Sequence, residues 1–338
     1  MRIQFIQKLI DRIRGKSSKE MPTDKNEQEI SPLQIKFNLL EEKVNKFHIE
    51  DIFKTYSFLN DEYSKQMYLK VLQYRLTEQS GILPKPKYID KTYSSQYLIN
   101  NEQIQIWNLT LNYIDLNNWG YNVRLFLELG GLHMALYQYI YETNNVSIKV
   151  EKDDIVIDGG ACYGDESIIF ADMAGINGKV YAFEFLPENL NIIEKNLNCN
   201  PEIKNRVKVI NNALWNTSNT NLYVKEDGPA TRCSLLNNIE YTTVVKTKSI
   251  DDLVKEENLN KLDFIKLDIE GSELESLIGA EQTIKQFKPK LAISLYHDME
   301  HFSSIPKYIK KIVPEYELYL NHHTEHLGET VLYAKVKK

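Results

Sequence analysis

The run Asp154-Ile155-Val156-Ile157-Asp158-Gly159-Gly160-Ala161-Cys162-Tyr163-Gly164 constrains the fold more than any other stretch of this chain. Ile155 to Ile157 are β-branched, as a strand buried on both faces of a parallel sheet requires. Asp158 falls where such a strand ends. Gly159, Gly160 and Gly164 permit tight turning and close backbone approach. Asp165 and Glu166 then open an apolar, helix-like run from Ser167 to Ala174. Strand, glycine turn and helix in this order make a nucleotide-binding device, with the ligand over the carboxyl end of the strand.

Glycine spacing narrows the ligand. The dinucleotide fingerprint G-x-G-x-x-G is not reproduced by Gly-Gly-Ala-Cys-Tyr-Gly, and no G-x-x-x-x-G-K-[ST] loop occurs. A carboxylate at the turn repels a pyrophosphate but suits a cationic ligand or an amine. S-adenosylmethionine, with an ammonium and a sulfonium, meets that requirement. The next strand, Lys179 to Glu184, also ends in an acid, with Pro187 near the start of the following helix. Glu184 lies 20 residues after Gly164, the spacing at which an acid holds ribose hydroxyls.

From about residue 150 to 335 the chain resembles the FkbM family of S-adenosylmethionine-dependent methyltransferases. The stretches that carry the resemblance are Val156 to Ala161, Val180 to Glu184, Asn211 to Leu214, Thr247 to Leu253, Ile265 to Glu273 and Ser294 to His297. Of these, Lys266-Leu267-Asp268-Ile269-Glu270-Gly271-Ser272-Glu273 is the most specific to the family. Phe185-Leu186-Pro187 departs from it, since a shorter approach to the proline is common there. The resemblance implies a Rossmann-like α/β fold: a seven-stranded sheet with one antiparallel strand and helices on both faces. It also implies methyl transfer to hydroxyl acceptors, often on sugars or polyketides.

Alternating strand and helix patterns agree with such a sheet. Strands are expected near 154–158, 179–184, 207–211, 262–268, 290–296, 316–321 and 330–336, and helices near 165–174, 188–198, 273–286 and 304–313. Asn221 to Val224 and Thr242 to Thr247 read as an added hairpin. Ahead of this methyltransferase domain at 150–338, residues 31–149 read as a mainly helical accessory region. Residues 31–80 are helical in period, those from 87 to 150 mixed in character, and Asn60-Asp61 suits a helix cap. Residues 1–30 read as an amphipathic helix (Ile3, Phe5, Ile6, Leu9, Ile10, Ile13) followed by a polar linker. That helix lacks the continuous apolar core of a signal peptide, and it could lie at a membrane interface or dock on the same or another subunit.

Ligands of open α/β sheets lie over the carboxyl strand ends, which collects the candidate site. Asp158, Gly159, Gly160, Ala161, Tyr163, Gly164, Glu184, Asn212, Ala213 and Asp268 are expected to hold the cofactor, with Asn212 and Ala213 beside the adenine. Asp268 and Glu270 end one strand and Tyr296 and His297 the next, so catalysis is expected from His297, Asp268 and Glu270. A histidine with a reference pKa near 6.5 suits proton removal at neutral pH. Tyr296, with Arg232 and Ser234 on a loop, is expected to meet the acceptor, and Arg232 would suit a phosphate-bearing one. Asp268, Glu270 and His297 could also bind a divalent ion, although no spacing requires it. Glu270 and Glu273 could instead cap the helix after Gly271. His133 suggests no chemical role, and His322, His323 and His326 suggest a surface or acceptor-loop cluster.

Composition limits the alternatives. The formal net charge of −6 gives no basic footprint for nucleic acid. No stretch of 18 apolar residues occurs, so no membrane span is expected. Cys162, Cys199 and Cys233 show neither metal spacing nor a disulfide framework, which fits reduced cytoplasmic thiols. The leading expectation is an O-methyltransferase on a sugar, nucleotide-activated or lipid-linked, of a bacterial surface polysaccharide pathway. Other acceptors stay open, as does a homo-oligomer formed through the N-terminal region. Nitrogen methylation is disfavoured by Asp268-Ile269-Glu270-Gly271, where an Asn-Pro-Pro-Tyr block would stand. A nicotinamide-dependent oxidoreductase is opposed by the glycine spacing, and a non-catalytic nucleotide-binding module is the third reading.

Overall fold

In the computed structural model, residues 49–77, 81–83, 98–143, 145–225, 231–235 and 243–337 are described. The expected amphipathic helix and linker at 1–30, and the helical pattern at 31–48, lie outside them.

Two helices come first, α1 (Ile49–Phe58) and α2 (Glu62–Thr77). An antiparallel meander follows, β1 (Leu98–Ile106), β2 (Leu109–Asp115) and β3 (Arg124–Glu128), then α3 (Leu132–Tyr137) and a short hairpin, β4 (Tyr141–Glu142) and β5 (Ser147–Ile148). The mixed stretch from 87 to 150 thus contains a small sheet as well as a helix. The alternating part begins with β6 (Ile155–Gly159), α4 (Asp165–Ala174), β7 (Lys179–Phe183), α5 (Pro187–Asn198) and β8 (Val207–Ile210). A second sheet is assembled from β9 (Ala213–Leu214), β10 (Asn221–Lys225), β11 (Arg232–Ser234) and β12 (Thr243–Lys248), in the order β11-β10-β12-β9. Next come α6 (Ile250–Glu256), β13 (Phe264–Leu267), α7 (Glu273–Ile278), α8 (Glu281–Phe287), β14 (Lys290–Ser294), α9 (His301–Ile312), β15 (Tyr316–His322) and β16 (Thr330–Val336).

The central sheet has seven strands in the order β15-β16-β14-β13-β6-β7-β8, with β16 antiparallel to both its neighbours. Side chains alternate across it. Ile157, Ile265 and Leu267 face one core, with Tyr68, Leu72 and Phe302 from α2 and α9. Val156 and Phe264 face the other, with Ile168, Phe170 and Leu136 from α4 and α3. Both faces are covered, as the β-branched strands require.

The N-terminal helices also close a sheet edge. Asn60 donates its N–H to the Leu318 carbonyl at 2.8 Å, and its Oδ1 accepts from the Leu318 N–H at 2.9 Å. Ser64 Oγ accepts from the Leu320 N–H at 2.9 Å, so the outer edge of β15 is not left open. Asp61 caps α2 through the Ser64 N–H at 2.8 Å.

Two helices differ from the sequence pattern. The helix expected over 273–286 is broken between α7 and α8, where the Gly279 carbonyl accepts from the Asp251 N–H at 2.9 Å and Gly279 packs against Trp215. A Cβ there would sit 2.2 Å from the Trp215 carbonyl oxygen. The pattern also missed α6, although Ser249 caps it through the Asp252 N–H at 3.2 Å.

Candidate active site

The opening turn closes on backbone. Gly160 has φ +81°, and a Cβ there would lie 1.9 Å from the Asp268 carbonyl oxygen, so no other residue fits that close approach. Gly160 and Ala161 donate their N–H groups to the Phe183 carbonyl at 3.2 and 2.9 Å. The turn is thereby pinned to the end of β7.

Asp158 does not present its carboxylate to the cleft. It is fully buried, and the parallel register of β6 and β13 places Lys266 beside it. Lys266 Nζ lies 2.9 Å from Asp158 Oδ1 and donates to the Gly160 carbonyl at 2.7 Å, while Ser167 donates to Asp158 Oδ2. The cation that Asp158 holds is therefore a lysine of its own chain. Burial opposes the Lys266 charge, but Asp158 and the neighbouring acids outweigh it and raise the ammonium pKa. Gly159, Ala161 and Gly164 shape the turn behind the cavities and line neither of them.

A first cleft runs over β7 and β8, lined by Gly160, Glu184, Asn189, Asn212, Ala213, Asp268 and Glu270 among others. Glu184 Oε1 accepts from the Phe185 and Leu186 N–H groups at 2.7 and 2.8 Å, and Oε2 from Asn189 at 3.1 Å. The departure at Phe185-Leu186-Pro187 thus builds a loop that grips the acid. Burial raises the Glu184 pKa despite those bonds. Ser234 and Arg232 lie on the edge strand β11, whose neighbour Thr231 lines this cleft, not the second cavity.

A second, open cavity adjoins the first, since both are lined by Gly160, Cys162, Asp268 and Glu270. Its walls add Tyr163, Tyr296, Tyr139, Gln138, Glu128 and Glu329. Asp268 stands at the junction. Tyr139 donates to its Oδ2 at 2.6 Å and Tyr296 to its Oδ1 at 2.9 Å.

His297 lies behind that junction, with only 5% of its side chain exposed. Its Nδ1 is 2.8 Å from Glu273 Oε1, while Nε2 is 3.3 Å from Glu270 Oε1 and 3.4 Å from Asp268 Oδ1. Burial opposes its charge, but the carboxylates of Glu270, Glu273 and Asp268 push its pKa up to about 11. So held, the imidazole favours its charged form, and it lines neither cavity. Glu273 opens α7 and does cap the turn before it, its Oε1 accepting from the Ile269 and Gly271 N–H groups at 2.9 and 3.3 Å.

Glu329, Tyr139 and Gln138 escaped the sequence reading. Glu329 precedes β16, and because that strand runs antiparallel, its start lies at the carboxyl ends of the others. Burial, with Asp268 nearby, pushes the Glu329 pKa up to about 7, and Gln138 donates to it at 2.5 Å. Glu329, Glu270 and Cys162 all have left-handed backbone, at φ +65°, +55° and +48°. Such residues cluster where surrounding structure over-determines them, commonly at functional sites. The histidine cluster divides: His322 and His323 are buried, contrary to a surface placement, and only His326 is exposed.

Residues 158–324 match the family model described as methyltransferase FkbM domain. A crystal structure of methyltransferase FkbM from Methylobacillus flagellatus is similar over 98% of this chain and 70% of that one, at 20% identity and a TM-score of 0.58, a likeness of fold. Precorrin-6y C5,15-methyltransferase from Geobacter metallireducens matches 67% of this chain and 95% of its own at 11% identity and TM-score 0.38. Aeropyrum pernix fibrillarin, in complex with S-adenosyl-L-methionine, matches 69% and 99% at 12% identity and TM-score 0.38. A search of curated proteins finds no match. No helix among the described residues is long and apolar enough to cross a membrane. With a strand-turn-helix unit, acids at successive strand ends and the matching domain model, residues 158–324 form a methyltransferase FkbM domain.

Proposed function

We propose that the chain moves the methyl group of S-adenosylmethionine onto a hydroxyl of a sugar, in the cytoplasm, within a bacterial surface polysaccharide pathway. One observation carries this reading: two cavities meet at Asp268 and Glu270, one suited to a nucleoside and one to a hydroxyl-rich acceptor. In the first, Glu184 would bind the ribose hydroxyls, with Asn212 and Ala213 beside the adenine. The methionine end would then reach Gly160 and Asp268. In the second, Glu128, Asp165, Glu166, Asp268, Glu270 and Glu329 face the space with a single lysine, Lys266, which is already paired. Such a wall accepts hydrogen bonds and repels anions. The reacting end of the acceptor is thus uncharged and rich in hydroxyls, and any phosphate of an activated sugar lies outside this wall.

The displacement is at the methyl carbon: its bond to the acceptor oxygen forms as its bond to sulfur breaks, so the oxygen must approach in line with the departing sulfur, at the junction where the two cavities meet. The hydroxyl proton passes to Glu329, a half-buried carboxylate in the second cavity with a pKa near neutrality. Asp268, fixed by two tyrosines, orients the acceptor.

Calorimetry with S-adenosylmethionine and NAD, followed by a nucleotide-sugar screen that detects one added CH2 by mass, tests the reading. Binding of S-adenosylmethionine, but not NAD, and methylation of a neutral sugar hydroxyl are expected. Heat from NAD alone would refute it, and cofactor binding without turnover on any acceptor would favour a binding module. Glu329→Gln should lower turnover by about 10²–10⁴-fold with cofactor binding intact.

A further inference from the structure

We infer that Asp268, Glu270 and His297 form a divalent-cation site at the junction of the two cavities, with Glu273 orienting the histidine. His297 Nε2 makes no hydrogen bond, although the side chain is 95% buried, and it points between Glu270 Oε1 at 3.3 Å and Asp268 Oδ1 at 3.4 Å. Atoms bonded to one ion at about 2.0–2.2 Å lie about 3–3.5 Å apart, so each of the two carboxylate oxygens already stands at ligand separation from Nε2.

The surroundings are those of a metal-binding histidine. Its other nitrogen, Nδ1, lies 2.8 Å from the fully buried Glu273 carboxylate, an outer partner that fixes the tautomer leaving Nε2 free to coordinate. Glu273 stands with Asp268 and His297 in a group whose possible ligand atoms lie within 4.8 Å of one another, but its Oε1 is already occupied by the Ile269 and Gly271 N–H groups, so it supports the site without binding the ion. Tyr139 and Tyr296 hold Asp268 in place. Glu270 takes its place through a left-handed backbone at φ +55°, followed by Gly271 at φ +103°. A divalent cation there takes the position of the Nε2 proton and offsets two carboxylates. One imidazole with two carboxylates suits a borderline-hard ion of the manganese class. Facing the second cavity, the ion meets the acceptor oxygen, so its catalytic meaning rests on the function proposed above, whereas its binding does not.

The full chain, stripped with EDTA and dialysed, is titrated with Mn2+ and followed by the electron paramagnetic resonance of the free ion. Cofactor binding is measured separately in EDTA. One saturable Mn2+ per chain is expected, with echo modulation from an imidazole nitrogen. His297→Ala should weaken binding at least tenfold, Glu273→Gln by about 10–100-fold, and the exposed neighbour Asp298→Asn not at all. Absence of saturable binding, absence of the nitrogen modulation, or undiminished binding by His297→Ala overturns the site. The spectroscopic readout on the unaltered chain decides even where a variant fails to fold. A chain that binds S-adenosylmethionine but not Mn2+ refutes the ion alone; one that binds Mn2+ but not S-adenosylmethionine refutes the methyl-donor reading alone.

Discussion

Lys266 and Asp158 face each other across adjacent parallel strands, 2% and 0% exposed. A buried pair of this kind adds little net stability over apolar packing, but stripping one partner leaves an uncompensated charge. Lys266→Met is therefore expected to cost about 3–5 kcal/mol in urea unfolding, and Lys266→Met with Asp158→Asn distinctly less. Equal losses in the single and double variants would show that the pair is not coupled. The sequence made Asp158 conspicuous, since a carboxylate beside glycines at a strand end is an unusual local pattern. It could not show what Asp158 holds. That depends on the register of β6 against β13, which brings distant positions together, and on which face of β13 Lys266 takes. Glu184 was legible for the opposite reason: its partners, Phe185, Leu186 and Asn189, are its own neighbours in the chain. His297 stood between these cases. Its place at a strand end was readable, but the carboxylates that hold its proton come from another segment.

At the level of elements, alternation of buried β-branched runs with helical periods located β6 to β8 and β13 to β16, because each pattern is local and repeated. What stayed illegible depends on contacts between segments. The break between α7 and α8 falls where Gly279 packs against Trp215, outside the helix, and the place of Glu329 at the second cavity follows from the reversed direction of β16. The tie between α2 and the site is of the same kind. Arg75 donates from Nη2 to the Tyr296 carbonyl at 2.9 Å and the Leu327 carbonyl at 2.6 Å, with its guanidinium 4.8 Å from the centre of the Phe302 ring. One side chain thus clamps the loop that carries Tyr296 and His297 to the loop that leads into Glu329. Arg75→Ala should speed amide hydrogen exchange across 323–329 and 296–300 and reduce methyl transfer. Arg75→Lys should rescue it only in part, since a point charge cannot span both carbonyls. Exchange unchanged in both loops would remove α2 from any role in ordering the site.

Over the whole molecule, the sheet separates two cores, and the end of β15 carries two histidines into its interior. His322 Nδ1 pairs with Thr330 Oγ1 at 2.8 Å, and His323 Nε2 lies 2.8 Å from the Tyr333 hydroxyl. Tyr333 itself donates to the Gln138 carbonyl, so His323 is the donor in its pair and sits neutral. Burial is the main cause that lowers both pKa values, to about 4 for His322 and about 3 for His323. Arg75 adds to the effect at His322, while His133 and His322 add to it at His323. An unfolded histidine titrates near 6.5. Above that pH neither state is protonated and these groups do not alter stability. Below it the unfolded chain takes up protons that the folded chain refuses, so stability falls as pH drops from 6.5 towards 4 and then 3. Asp165 and Glu329, whose pKa values are raised to about 6 and about 7, pull the other way over part of that range. The total curve therefore mixes both, and the difference between variants isolates the histidine. His323→Gln keeps a donor for Tyr333 but cannot titrate. Its deficit against the unaltered chain in urea unfolding should shrink by about 2–3 kcal/mol between pH 7 and pH 4.5. A deficit that stays constant over that interval would mean that His323 takes up its proton in the folded state, and that the core at the end of β15 admits a charge.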